Sequence, residues 1–370
     1  MQLPPFLLSQ FLAEYEFADP PIAFNLASST GPRWTLDALS ALGALGAPPQ
    51  DAGATSLGYA PAEGSRDLRE AVAAFHETDP GWVTITTGAS EALWILLSLL
   101  EREHGNVVIP DPAYPAYAAL AAACRLATRP YPLWHETAFT PAAGTVLHAV
   151  NADTVAVIVN TPHNPTGAVM PLGEISALAA ALAEIGVPLI VDEVYHPLYF
   201  GAPQPSAAGI ANVIVTSDLS KAMSLPGLRT GWIIDADAQR RARAIDARSY
   251  FTISGSPLLE RLATHALHQS GPILARLRAV AARNLTLLDR QITAAAGTLS
   301  WVAPRGGTTA FAWFTDGRDS RAFCRALARA GVLVAPGDCF GHPSHMRIGF
   351  AQQEAGFAAA MRIFGGALEG

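Results

Sequence analysis

The sequence predicts an α/β protein in which a large domain, with a mostly parallel β-sheet between helix layers, joins a smaller α+β domain. Three observations support this fold class. Short runs rich in Val and Ile alternate with helical stretches through the middle of the chain. Such runs are typical of strands buried on both faces, as in a parallel sheet. After about residue 250 the alternation stops, and long helical stretches lead to short strand-like segments.

The elements of the large domain are predicted in chain order. Runs of β-branched residues that end at glycine or at a polar residue predict strands, and Ala- and Leu-rich stretches with a helical period predict helices. The predicted strands are 82–88, 106–110, 155–160, 187–195 and 212–218, and the predicted helices are 90–104, 116–127 and 172–186.

The rest of the chain predicts the smaller domain. Helical stretches cover 257–293 and 319–330, strand-like segments cover 298–314, 331–337 and 345–351, and a final helix follows. Because the β/α alternation starts late, we expect the N-terminal segment to pack with this domain. We therefore predict a large domain at 46–248 and a small domain built from 1–45 and 249–370.

Composition excludes several classes of protein. The chain has 370 residues, 50% of them hydrophobic, with a net charge of −7 and no basic run, which argues against a nucleic-acid partner. Cys124, Cys324 and Cys339 lie too far apart for a disulfide framework or a metal motif, so we expect no metal and a reducing cytoplasm. The N-terminus lacks the basic start of a signal peptide, and the apolar runs are too short to span a bilayer.

Lys221 is the only lysine among 24 basic residues. Arginine stays charged in proteins, whereas a partly buried lysine amine loses its proton and becomes a nucleophile. Its characteristic covalent chemistry is a Schiff base with a carbonyl, including the aldehyde of pyridoxal 5′-phosphate (PLP). The alternative is that a single lysine remains by chance in a composition that strongly favours arginine. The residues around Lys221 must therefore distinguish Schiff-base chemistry from chance.

Two strand ends before Lys221 offer groups that suit such a cofactor. In open α/β sheets, ligands bind at the carboxyl ends of the strands. Gly88 ends a predicted strand and Ala89 and Ser90 open a helix, whose free N–H groups and dipole favour a phosphate. Tyr114 follows the next strand in a proline-rich turn, where its ring could stack on a pyridine. Each feature alone also fits a plain helix cap or a packed tyrosine.

Three further segments complete the set. Asn164 lies in a turn after the strand 155–160, where its amide could donate to a phenolate oxygen, and Tyr195 could reach the same atom. Asp192 ends an apolar strand, and a carboxylate at that depth needs a cationic partner such as a protonated pyridine nitrogen. Arg229 carries a planar fork that suits a phosphate. These residues, in chain order at successive strand ends, predict a PLP site.

The sequence resembles the fold-type I PLP enzymes, and specifically the class I/II aminotransferases, from about residue 25 to about residue 350. The resemblance rests on "TPHNPTG" (161–167), "IVDEVY" (190–195) and "SKAMSLPGLRTGW" (220–232). It implies a Schiff base of PLP with Lys221 and a pair between Asp192 and the pyridine nitrogen. It also implies further cofactor contacts from Gly88, Ala89, Ser90, Tyr114, Asn164, Tyr195, Ser220 and Arg229.

The same resemblance implies contacts with a partner subunit and with the substrate. Tyr59, in "GYAPAEGSRDLREAVA" (58–73), corresponds to a tyrosine that reaches the phosphate of a partner, which implies a homodimer with shared active sites. Arg347, in "HMRIGFA" (345–351), corresponds to an arginine that clamps the substrate carboxylate. Asn164 and the serines of "NLASST" (25–30), Ser28 and Ser29, fall where the family lines its substrate pocket.

One position departs from the family. Many relatives have serine or threonine three residues before the lysine, in contact with the phosphate, and here that residue is Asp218. A carboxylate beside a phosphate would repel it unless it is protonated or turned toward Arg229 or a backbone donor. Ser217 or Ser220 could then supply the hydroxyl.

The resemblance implies an aminotransferase that moves an amino group between an L-amino acid and a 2-oxo acid, with Lys221 as the base that removes the α-proton. A PLP-dependent cyclase or lyase is the alternative, because "TISGSPLLERLATHAL" (252–267) and "PRGGTTAFAWF" (304–314) resemble enzymes of the capreomycidine synthase type. A sensor domain of a transcription regulator fits less well, since no basic helix-turn-helix segment precedes residue 45. The chain also has no GxGxxG after a strand, which argues against a nicotinamide oxidoreductase.

Overall fold

The structure is a computed structural model that describes residues 4–42 and 55–369. Its helices are α1 (Leu7–Ala13), α2 (Leu36–Ser40), α3 (Arg66–His76), α4 (Ala89–Leu99), α5 (Ala116–Ala123), α6 (Ala143–His148), α7 (Leu172–Ala183), α8 (Ala238–Ser249), α9 (Pro257–His268), α10 (Ser270–Ala294), α11 (Arg321–Arg329) and α12 (Phe357–Glu369). Its strands are β1 (Phe24–Asn25), β2 (Val83–Thr86), β3 (Asn106–Asp111), β4 (Ala127–Pro132), β5 (Thr154–Asn160), β6 (Leu189–Asp192), β7 (Val213–Asp218), β8 (Gly231–Asp235), β9 (Leu299–Ser300), β10 (Thr309–Phe314), β11 (Val332–Leu333), β12 (Ala335–Pro336) and β13 (His345–Gly349).

The large domain is built on a seven-stranded sheet in the order β2-β8-β7-β6-β5-β3-β4. Strand β8 runs antiparallel to both neighbours, and all other adjacent pairs are parallel. Alternate residues of one strand face opposite helix layers, as the pleat requires. Thus Val157 joins a core with α3 and α7, while Ile158 joins a core with α4 and α5. The predicted α/β class, with a mostly parallel sheet between helices, is confirmed.

The smaller domain is an antiparallel sheet in the order β12-β13-β10-β9, covered by helices. Strand β1 pairs in parallel with β11, so the N-terminal segment is hydrogen-bonded to this part of the chain. Leu8, Phe11 and Leu26 share one apolar core with residues of α10, α11 and α12. Hydrophobic burial, at about 25 cal/mol per Å², holds these distant segments together.

Helix α10 connects the two cores. Ile273 and Leu274, in its first turns, pack with α9 against the large domain, whereas Leu277 and Leu288 pack in the small one. The domain boundaries at 45/46 and 248/249 stay predictions, and the first lies outside the described residues. Within the part of the chain that the structure describes, no helix has both the length and the apolar character required to cross a membrane.

Candidate active site

The site is a cavity of about 200 Å³ at the carboxyl ends of the parallel strands. Its walls bring together most of the residues singled out in the sequence, namely Ala89, Ser90, Tyr114, Asn164, Asp192, Tyr195, Ser220, Lys221 and Arg229. They come from loops and helix starts that follow β2, β3, β5, β6 and β7. Successive parallel strands place these ends at one edge of the sheet, which is why residues far apart in sequence meet there.

Lys221 projects into this cavity three residues after the end of β7. Its Nζ donates a hydrogen bond to Ser29 Oγ at 2.9 Å, so the N-terminal segment reaches the lysine. Burial lowers the pKa of Lys221, although the nearby Asp218 carboxylate opposes that shift. A lowered pKa gives the amine more nucleophilic and basic character near neutral pH.

Asp192 lies at the end of β6 as a buried carboxylate. Tyr117 Oη donates to its Oδ2 at 2.5 Å, and the Val194 N–H donates to its Oδ1 at 3.3 Å. Burial nevertheless raises the pKa of Asp192 to about 7. The carboxylate therefore sits in a place that would favour a cationic partner.

Asn164 and Arg347 form a buried pair on the small-domain side of the cavity. Arg347 is 2% exposed, and its Nη1 donates to Asn164 Oδ1 at 3.2 Å while its Nη2 donates to the Ala27 carbonyl at 2.6 Å. Its Nε has no hydrogen-bond partner among the described residues. Burial lowers the pKa of Arg347, since desolvation disfavours the charged form. A buried guanidinium with an unused donor is suited to an anionic ligand.

Two tyrosines complete the wall. Burial raises the pKa of Tyr195 to about 12, although the neighbouring hydroxyls of Ser29 and Thr308 oppose that shift. Tyr195 lies in the cavity wall, where its hydroxyl is available to a ligand oxygen. The ring of Tyr114 meets those of Tyr117 and Phe6 edge to face, at centroid distances of 5.7 Å and 6.1 Å.

The start of α4 provides the phosphate end of the cavity. Gly88 has a φ of +83°, and a Cβ there would lie 2.5 Å from Arg229 Nη2, so the turn requires glycine. Arg229 Nη2 donates to the Thr87 carbonyl at 3.4 Å, which holds the guanidinium beside the helix start. The first N–H groups of a helix bind anions, and a fixed arginine strengthens that tendency.

Asp218 contacts the same helix start. Its Oδ2 accepts from the Ala89 N–H at 3.3 Å and its Oδ1 accepts from the Ser220 N–H at 2.8 Å. The carboxylate is thus turned toward backbone donors, one of the arrangements expected from the sequence. Ser217 does not supply a hydroxyl here, because its Oγ donates to the Glu193 carbonyl.

These groups fit PLP. A lysine amine with lowered pKa, a buried carboxylate, a buried tyrosine in the cavity wall and a helix start with an arginine correspond to the aldehyde, pyridine nitrogen, phenolate and phosphate of that cofactor. Because these four groups of the protein each match one polar group of the cofactor, the chemistry of the site is consistent with PLP as the bound group.

Four predicted residues are not part of the cavity walls, namely Gly88, which immediately precedes the lining residue Ala89, and Tyr59, Ser28 and Arg347. Tyr59 is 82% exposed and lines a different cavity, of about 500 Å³. Ser28 Oγ bonds Thr30 Oγ1 at 2.9 Å, and it is Ser29 that contacts Lys221. Their roles, toward a partner subunit and the substrate respectively, stay predictions. Arg347 does not line the cavity itself but is hydrogen-bonded to Asn164, which does.

Sequence reasoning missed two residues of this site. Tyr117 lies in the first turn of α5, three residues after Tyr114, which precedes the helix, and its position beside that predicted ring stacker is the signal that could have found it. Asn160 is the last residue of β5, and its Oδ1 accepts from the Asn164 N–H at 2.7 Å. Its position at a strand end is the same signal that indicated Asp192.

One buried group elsewhere in the described residues could hold a metal ion, namely His76, Glu193 and His196. Trp232 Nε1 donates to His76 Nε2 at 3.1 Å, which leaves the ring proton on Nδ1, 2.9 Å from Ser206 Oγ. Ser206 in turn donates to Glu193 Oε2 at 2.6 Å. A metal ion bound to His76 Nδ1 would break this chain of hydrogen bonds. We therefore interpret the group as a buried polar network whose members are already hydrogen-bonded to one another.

Comparison with known proteins agrees with this geometry. The model of the family "Aminotransferase class I and II" matches residues 33–361. Capreomycidine synthase of Streptomyces vinaceus is 36% identical over 82% of this chain and 80% of its own length. Valine–pyruvate aminotransferase of Mycobacterium tuberculosis is 33% identical over 84% and 83%. A crystal structure of a PLP-dependent aminotransferase from Streptococcus suis, 26% identical, superposes with a TM-score of 0.90 over 100% of this chain and 98% of that one.

Proposed function

Because the chain belongs to the class I and II aminotransferase family of PLP-dependent fold-type I enzymes, we propose that it is an aminotransferase. It would move an amino group between an α-amino acid and a 2-oxo acid. The proposal rests on the polar groups of the cavity and on the similarity to characterised aminotransferases.

The observation that carries this proposal is the burial and hydrogen bonding of Arg347. A guanidinium buried to this extent, whose Nε is unpaired in the part of the chain that the structure describes, is costly unless an anion joins it. Through Asn164 it is connected to the cavity that holds Lys221. A carboxylate is an anion that suits a planar fork, and both an amino acid and a 2-oxo acid carry one at the α-carbon.

When bound, PLP acts as an electron sink for the α-carbon of an amino acid attached to it. The residues of this chain do the remaining work. Asp192 would hold the pyridine nitrogen in its protonated form, and Arg347 would fix the α-carboxylate. The amine of Lys221 would remove the α-proton as a general base, for which its lowered pKa is suited.

A second candidate is a PLP-dependent cyclase or lyase. It is favoured by the 36% identity to capreomycidine synthase, which exceeds the 33% identity to the valine–pyruvate enzyme. Both candidates begin with removal of the α-proton by Lys221. They differ in the fate of the proton and of the substrate side chain.

A half-reaction experiment separates the two candidates. The purified holoenzyme is mixed with single amino acids, without any 2-oxo acid, and the cofactor is extracted and identified by chromatography. We expect a donor to yield pyridoxamine phosphate and a 2-oxo acid, and a Lys221→Ala variant to yield neither. An amino acid that is consumed while the cofactor stays PLP would overturn transamination and favour the second candidate.

We also propose that the enzyme works as a homodimer. Leu57 and Tyr59 are large apolar side chains that are 88% and 82% exposed. Tyr59 lines the cavity of about 500 Å³, and Leu57 lies between two other residues that line it. Contact with a second copy would bury them and bring Tyr59 toward the phosphate end of the partner's site. A cytoplasmic location remains a prediction from the sequence.

A further inference from the structure

Asp218 is hydrogen-bonded to the helix start at which the phosphate of the cofactor would bind. The residue is 8% exposed at the end of β7. Its two carboxylate oxygens accept from the N–H groups of Ala89 and Ser220. Both of those residues line the cavity. Ala89 was predicted to bind the phosphate, and the hydroxyl of Ser220 was one candidate for a further contact with it. The free protein therefore holds an anion of its own at this helix start.

The charged groups nearby make this arrangement matter. Arg229 donates to two backbone carbonyls, those of Thr87 and Pro226, rather than to Asp218. The charge of the Asp218 carboxylate acts to raise the pKa of both Lys221 and Asp192. The carboxylate is therefore close enough to interact with the other charged groups of the site. A phosphate that takes the Ala89 N–H must displace the carboxylate or lie beside it, and two anions at that distance repel each other.

We propose that Asp218 competes with the cofactor's phosphate for the start of α4 and so lowers the preference of this protein for PLP over unphosphorylated pyridoxal. Asp218 is thus a specificity-determining residue for the cofactor. The proposal rests on the binding of PLP and holds for either reaction considered above.

The test compares two ligands on the apoprotein. Dissociation constants of PLP and of pyridoxal are measured by equilibrium titration for the wild type, Asp218→Ser and Asp218→Asn. Lys221 and Asp192 interact with both ligands, so their contributions cancel in the ratio of the two constants. We expect the preference for PLP to rise about tenfold or more in both variants, because one like charge near the phosphate has been removed.

A second readout needs no cofactor. Inorganic phosphate should raise the melting temperature of apo Asp218→Asn more than that of the apo wild type. Asp289→Ser, which removes an exposed carboxylate on α10, is the matched control and should leave both readouts unchanged.

The variants also guard against a trivial loss of fold. Asn keeps the shape of Asp and still offers an oxygen to the Ala89 N–H. If Asp218→Ser does not fold, the result for Asp218→Asn therefore tests the proposal. A preference for PLP that stays within about twofold of wild type, or falls, in a variant with a native circular dichroism spectrum would overturn the proposal. Asp218 would then be a structural cap or a partner of the phosphate.

Discussion

At the scale of single residues, the central feature is the buried arginine on the small-domain side of the cavity. Arg347 donates to Asn164 and to the Ala27 carbonyl, and its Nε has no hydrogen-bond partner within residues 4–42 and 55–369. A lysine at this position would keep the charge but lose the planar fork, so the exchange is not conservative.

We predict that Arg347→Lys lowers kcat/KM for amino acid donors about 100-fold, since hydrogen bonds to charged groups contribute about 1.5–3 kcal/mol and lysine lacks the planar fork. Steady-state kinetics measure this, and Arg362→Lys, at an exposed position on α12, is the control. PLP affinity should change little in either variant. Equal losses for both variants, or a loss confined to PLP binding, would contradict a carboxylate clamp.

Asp192 allows a test by pH. Burial raises its pKa from 3.8 to about 7 in the folded apoprotein, so the folded state binds the proton more tightly than the unfolded state. Its contribution to stability is therefore present below the unfolded pKa and is lost as pH rises through the folded one.

We predict that apo Asp192→Asn melts at the same temperature as the wild type at about pH 4 and roughly a few degrees higher at about pH 8. Asn has no charge to bury, so its stability lacks this component. Thermal unfolding across the pH range measures the difference. A gap that stays constant with pH would show that the Asp192 carboxylate is not the source.

At the scale of elements, the turn from β2 into α4 decides whether the phosphate end forms. Gly88 and Gly231 both lie where a side chain would collide, the first with Arg229 and the second with the Gly88 backbone. The two elements and the arginine therefore approach one another only because these positions carry no Cβ.

We predict that Gly88→Ala destabilises the protein by roughly 1–3 kcal/mol, through its positive φ and the clash with Arg229, and weakens PLP binding. Gly173→Ala in α7, where a Cβ meets nothing within 4 Å, is the control and should be neutral or slightly stabilising. Denaturant unfolding and PLP titration measure both effects. Wild-type PLP affinity in Gly88→Ala would contradict the proposed role of this turn.

How far the sequence predicts the elements depends on burial. Strands β3, β5, β6 and β7 are apolar runs covered on both faces, and all were predicted. Strand β4 was missed because it is an exposed edge strand that carries Arg129, Pro130 and Pro132. Strand β8, which pairs antiparallel after a loop, was also missed. Polar groups at strand ends revealed the site, but the hydrogen bond between Ser29 and Lys221 depends on tertiary packing.

At the scale of the whole molecule, the site joins segments from both domains. The N-terminal segment supplies Ser29, the large domain supplies Lys221, and the small domain supplies Arg347. The exposed Tyr59 extends this argument to a second copy of the chain, because the role that we propose for it requires a partner.

We predict that mixing inactive Lys221→Ala with impaired Tyr59→Ala restores activity once the subunits exchange. In the hybrid dimer, one site would combine the lysine of one chain with the tyrosine of the other. Activity and light-scattering mass are measured before and after exchange. A monomeric mass, or a mixture no more active than its parts, would contradict shared active sites.

The most direct test of the central claim uses the single lysine of the chain. The purified protein is incubated with PLP, reduced with borohydride and digested, and the modified peptide is identified by mass spectrometry. We predict a phosphopyridoxyl group on Lys221, in the peptide that contains "SDLSKAMSLPGLR". A protein that takes no label, or takes it on the α-amino group alone, would contradict the assignment of this cavity as a PLP site.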